Sequence, residues 1–168
     1  RQGKHKFVWS VNINTRLHDL YRTNMPARWD PDFFRRSPLF EPLRAAADAL
    51  RAPHWPSHDD LNRIIASRGA AISTGGGQPL RFVEPARRKI EFEYKYEPSI
   101  FLRGEVQFRS CNWHDLLNAL VWLTFPAAKT ALNRRHFREI ERARASAERN
   151  RGPVRDALTL LDEGGVRE

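Results

Sequence analysis

The chain has 168 residues, 40% hydrophobic and 29% charged, so it can bury a core and is not composed like a disordered segment. Its 29 Lys and Arg against 20 Asp and Glu give a net charge of +9 and a pI near 10.5. The single cysteine, Cys111, excludes an internal disulfide, and the longest apolar stretch, Leu116 to Phe125, falls far short of the ~20 residues of a membrane helix.

In chain order, Thr15 to Arg22 reads as a short helix, followed by Pro26, Pro31 and Pro38 interleaved with Trp29, Phe33, Phe34 and Phe40. Aromatic residues spaced by prolines predict an irregular wrap over a core. Glu41 to Arg51 places Leu43, Ala46, Ala47 and Leu50 on one helical face. Ser57 with Asp60 three residues on predicts a capped helix carrying Leu61, Ile64 and Ile65 and ending at Gly69. Thr74-Gly75-Gly76-Gly77 reads as a flexible turn, since the Lys-Ser/Thr of a phosphate loop is missing.

Ile90, Phe92, Tyr94 and Tyr96 alternate with Glu91, Glu93 and Lys95, which predicts a half-buried strand broken by Pro98. Ile100 to Leu102 and Glu105 to Arg109 are shorter strand candidates around Gly104. Asn112 caps a helix, with Asp115 at the reciprocal position of a capping box, and Phe125-Pro126 ends it. A second helix starts at that proline and runs to about Arg149, before Gly152-Pro153. Leu158 to Leu161 reads as a last strand entering an acidic turn, with a short helix from Val154 as the alternative. The fold expected is one α+β domain over residues 1–168, mostly helical, with a central helix pair at about 112–150 and a small antiparallel sheet.

On a helical wheel the second helix sorts Leu132, His136, Ile140, Ala143 and Ala147 onto one arc, and Lys129 and Asn133 share it. Arg134, Arg135, Arg138 and Arg142 fall opposite. Inward polar groups need partners or cost ~1–3 kcal/mol each. If the two helices form an antiparallel pair, the first supplies those partners: Asn118 lies near Asn133, and His114 or Asp115 near His136.

The run Arg103-Gly104-Glu105, then Asn112-Trp113-His114-Asp115, Asn118-Ala119-Leu120-Val121-Trp122, Phe125-Pro126, Lys129 and Leu132-Asn133, resembles the bacterial domain of unknown function 3025. Arg155-Asp156-Ala157-Leu158-Thr159 and Asp162-Glu163 are similar to a second block of that family, so the resemblance covers about residues 103–165. It implies that the Asn-Trp-His-Asp run belongs to a family pattern of which Cys111 is no part. It implies no activity.

The favoured reading is an enzyme-like polar site acting on an anionic, phosphate- or carboxylate-bearing substrate. His114, Asp115, His136 and Glu105 are its candidate catalytic residues. Asn118, Lys129, Asn133 and Arg155 are its candidate substrate-binding residues. In a hydrolase version His114, His136 and Asp115, joined by Asp156 or Asp162, hold a divalent metal that activates water, with Glu105 or Glu163 as base. In a metal-free version His114 pairs with Asp115 or Asp162 for proton transfer. Cys111 with His114 is a weaker nucleophile candidate.

The runner-up is a basic nucleic-acid-binding module in which the His/Asp/Asn cluster is structural. Residues 1–36 and 126–151 each hold 8 Lys and Arg against 3 acids, and Arg134, Arg135, Arg138 and Arg142 would meet phosphates. Trp29, Trp55, Trp113 and Trp122 are its base-stacking candidates. No apolar run follows the basic first residues, so a cytoplasmic protein without a membrane partner is expected.

Overall fold

The computed structural model describes residues 28–85 and 91–146, together with Ala157. Two 3-10 turns, Phe33–Arg36 and Pro38–Leu43, run into helix α1 (Arg44–Ala49). There follow α2 (His58–Ser67), strand β1 (Arg81–Val83), a 3-10 turn (Phe92–Tyr94), α3 (Tyr96–Arg103), β2 (Glu105–Gln107), α4 (Trp113–Thr124) and α5 (Pro126–Ala145). The predicted helix at Thr15–Arg22 and strand at Leu158–Leu161 lie outside the described residues. Among the described residues no helix is long and apolar enough to cross a membrane.

The core gathers Phe33, Phe40, Leu61, Phe82, Ile100 and the apolar face of α4, where Leu116, Leu120 and Leu123 are fully buried. The proline-spaced aromatic segment wraps onto that core as predicted: Trp29, Trp55 and Trp113 pack against one another at 4.6–5.5 Å between ring centroids. The α2 capping box is complete. Ser57 Oγ accepts from Asp60 N at 3.2 Å, and Asp60 Oδ2 accepts from Ser57 N at 2.7 Å.

The expected antiparallel sheet is wrong. The sheet has two strands and they are parallel, with Arg81 opposite Glu105, Phe82 opposite Val106 and Val83 opposite Gln107. Parallel neighbours need a crossover, and α3 supplies it. The alternation that predicted a strand through Tyr96 stops at a 3-10 turn, and Tyr96 is the first residue of α3. Pro98, read as a strand breaker, sits in the first turn of that helix, where its missing N–H costs nothing. Ser99 N makes the first helical bond, to Lys95 O at 2.8 Å, and Gly104 caps the other end at φ 72°. Ile100–Leu102 is therefore helix, and only Glu105–Gln107 of the second short candidate is strand.

Thr74–Gly77 is a packed turn. Thr74 is buried, Gly77 N donates to Thr74 O at 3.0 Å, and the turn lies against α3 and α5. A Cβ on Gly76 would come within 2.0 Å of Phe101 O, so glycine is required there by close approach.

Candidate functional site

Helix α5 is 20 residues long, and its buried residues are Lys129, Asn133 and His136. Their spacing places them on one stripe, as the wheel predicted. Leu132 and Ile140 on the same arc are only half buried. The stripe faces α3 and α4 instead of solvent, so the inner seam of this helix is polar.

One residue, Phe125, links α4 to α5, fewer than the two to five of a helical hairpin. The expected pairing of Asn118 with Asn133 does not form, because α3 takes both partners. Asn118 Nδ2 donates to Tyr96 Oη at 2.7 Å, and Asn133 Nδ2 donates to Glu97 O at 3.0 Å and Glu97 Oε2 at 2.7 Å. Tyr96 and Glu97 are thus site residues that sequence reasoning missed. The signal was present: an acidic residue and a proline in a first turn, with a glycine cap after Arg103.

Tyr96, Glu97, Ile100, Trp122, Lys129, Leu132, Asn133 and His136 enclose a cavity of about 10 Å³, room for one water. Lys129 Nζ lies 5.5 Å from the centroid of the Trp122 ring. Two of the lining residues each carry a buried side-chain atom with no hydrogen-bond partner, Trp122 Nε1 and Asn133 Oδ1. Trp122 is 1% exposed and Asn133 3%.

His114 and Asp115 lie elsewhere, at the start of α4. Asn112 caps the helix as predicted, its side chain accepting from Asp115 N at 3.1 Å. The Asp115 carboxylate does not return the bond. It accepts from Arg109 N (2.9 Å), Nε (2.8 Å) and Nη2 (2.9 Å), and lies 3.1 Å from His114 Nδ1. Burial pushes the Asp115 carboxyl up. The hydrogen bonds from the Arg109 side chain, His114 and the Arg109 backbone outweigh it and hold the group well below the usual carboxylate range. The His114 side chain is 66% exposed. Cys111 is exposed and holds a left-handed φ of 59° at the turn into α4.

Glu105 belongs to a third group. Its carboxylate accepts from Arg103 Nε (2.9 Å) and Arg81 Nη2 (2.6 Å), tying β1 and the end of α3 to β2. The Arg103 hydrogen bonds, against burial and with help from Arg81, hold its carboxyl below the ordinary value. The candidates His114, Asp115, Glu105 and His136 are therefore distributed over three places. Among the described residues no three of His, Cys, Asp and Glu gather where a metal could be held. Arg155, Asp156, Asp162 and Glu163 lie outside the described residues.

The arginine face of α5 is exposed at Arg134, Arg135, Arg138 and Arg142. Glu139 lies 3.4 Å from Arg135 and 3.8 Å from Arg142. Trp29, Trp55 and Trp113 present their rings largely to one another, and Trp122 is in the core.

Residues 80–167 match the family model described as a protein of unknown function (DUF3025). The matched span holds every residue of the cavity, the Asp115 group and the arginine face. No curated protein and no solved structure matches the chain.

Proposed function

This chain belongs to the DUF3025 family, and from that premise we propose that the α3–α4–α5 junction is an enzyme-like site for a small polar ligand. One observation carries the reading: the buried residues of a 20-residue helix are a lysine, an asparagine and a histidine. A seam selected for stability alone would carry leucines there, because buried polar groups contribute little even when satisfied and cost ~1–3 kcal/mol when not.

In this reading His136 moves the proton, an imidazole having one nitrogen that donates and one that accepts. Lys129 faces an acidic group of the ligand, Asn133 fixes its orientation, and Asn118 positions Tyr96 through the 2.7 Å hydrogen bond. Glu97 lines the same cavity, so a ligand meets both signs of charge. That favours a polar molecule with donors and acceptors over a multiply charged anion. Entry requires α3 to part from α5, where Phe101 and Phe137 stack at 4.1 Å.

The test is a thermal-shift panel of hydroxy acids, amino acids and sugars on the wild type and on His136→Leu. A ligand at a hundred times its Kd adds about 2.7 kcal/mol, which raises Tm by roughly 5–10 °C in a chain of this size. The rise is expected in the wild type alone. A panel in which no compound separates the two proteins, with His136→Leu melting higher, would make the stripe ordinary core.

A second reading is favoured by Arg134 and Arg138, which are exposed and form no ion pair among the described residues. Here α5 lies along a nucleic-acid backbone and the polar junction is structural. Reversing Arg134, Arg135, Arg138 and Arg142 to Glu is then expected to abolish binding to a short duplex at low salt, and binding to the wild type to weaken steeply with salt. Equal binding by both proteins sinks this reading.

A further inference from the structure

We infer that the cavity of the α3–α4–α5 junction is a hydroxyl site: it holds one water when empty of ligand and the hydroxyl of a small alcohol-bearing ligand when occupied. The identification of the ligand group rests on reading this junction as a ligand site. What points to a hydroxyl is the pair of unpartnered atoms in its lining.

Trp122 Nε1 can only donate, and it is buried without an acceptor. Asn133 Oδ1 can only accept, and it is buried without a donor. The asparagine cannot turn over to satisfy itself. Its Nδ2 donates to Glu97 O and Glu97 Oε2, and exchanging the two atoms would set an oxygen against two oxygens. The orientation of Oδ1 is therefore fixed by Glu97, and the two atoms together call for one acceptor and one donor.

A single O–H group supplies both. Its lone pair accepts from the indole and its hydrogen goes to Asn133. A carboxylate or fully ionised phosphate has no hydrogen for Asn133 Oδ1, and an ammonium has no lone pair for Trp122 Nε1. The cavity of about 10 Å³ has room for one such group. Ile100 and Leu132 in the same lining are suited to the carbon that bears it.

The experiment is NMR on the ¹⁵N-labelled full chain, reading the Trp122 indole N–H after assignment through its covalent neighbours. In the free wild type a cross-peak from water to this buried indole is expected. Methanol and ethylene glycol are expected to shift it saturably, while sodium acetate and methylammonium chloride at equal concentration leave it in place. Asn133→Leu should remove the alcohol response. An indole with no water cross-peak overturns the inference, as does a water that no alcohol displaces, or acetate acting as strongly as methanol. These readouts separate from the His136 test. A dry indole beside a panel hit that needs His136 ends the hydroxyl site and leaves the catalytic reading. An indole that answers methanol when no panel compound depends on His136 leaves a binding site without the chemistry.

Discussion

Gly104→Ala is expected to lower the melting temperature by roughly 5–20 °C, the largest loss from adding one methyl group anywhere in the β1–α3–β2 unit. Two costs combine. Gly104 has φ 72°, which an L side chain occupies at ~1–2 kcal/mol. A Cβ there would also stand 2.1 Å from Pro79 O, and a backbone carbonyl can yield only if the chain around it moves. Forcing that shift adds ~1–3 kcal/mol. The movement would strike a joint, because Arg81 N donates to Gly104 O at 2.8 Å where the parallel pair begins. Gly77→Ala is the control: φ is 80°, yet nothing lies within 4 Å of the added atom. It should cost only the conformational part, about 2–8 °C. Calorimetric melts of both variants decide the matter. Equal losses would mean that the contact with Pro79 is relieved without cost.

The position of Gly104 also bears on function. It ends the helix that brings Tyr96 and Glu97 to the stripe of α5, and the next residue, Glu105, is clamped by Arg81 and Arg103. The clamp ties the end of α3 to both strands, away from the first turn that carries Tyr96 and Glu97.

How far the sequence disclosed this arrangement depends on period. Lys129, Asn133 and His136 were legible as an inward stripe because their spacing is helical and the arginines fall opposite. The caps at Ser57 and Asn112 were legible because each is a local hydrogen bond between residues three apart. The strand pair was not, because three residues per strand leave no usable alternation, and the parallel sense depends on the crossover. The Ile90–Tyr96 alternation misled for a related reason: period two shows which side chains share a face only if the segment is extended. Phe92–Tyr94 is a 3-10 turn, and the proline taken to end a strand was opening a helix. With α3 unread, the polar partners of the stripe were sought on α4, where His114 lies 3.1 Å from Asp115, the pairing that the metal-free reading expects.

Asp115→Asn is expected to lower Tm by roughly 3–10 °C at pH 7, and the difference from wild type is expected to shrink as the pH falls below about 4. At neutral pH the carboxylate accepts three hydrogen bonds from Arg109 and is paired with His114. Hydrogen bonds to a charged group contribute ~1.5–3 kcal/mol. The Arg109 side chain is 60% exposed, so solvent screens part of that and the lower end of the range applies. An asparagine keeps one acceptor and turns an NH₂ toward the guanidinium. The pH dependence follows from the depressed carboxyl: unfolded, the group takes up its proton near pH 3.9, whereas in the folded chain burial is outweighed by the Arg109 and His114 bonds and it stays ionised to lower pH. Its contribution is whole above the unfolded value and drains away as the pH drops toward the folded one. Glu105, depressed by Arg103 and Arg81 against burial, follows the same sign, so the variant retains part of the acid limb. Melting curves from pH 2 to 7 on both proteins test this. A gap that stays constant down to pH 2 would show that the substitution acts through packing and not through the charge on Asp115.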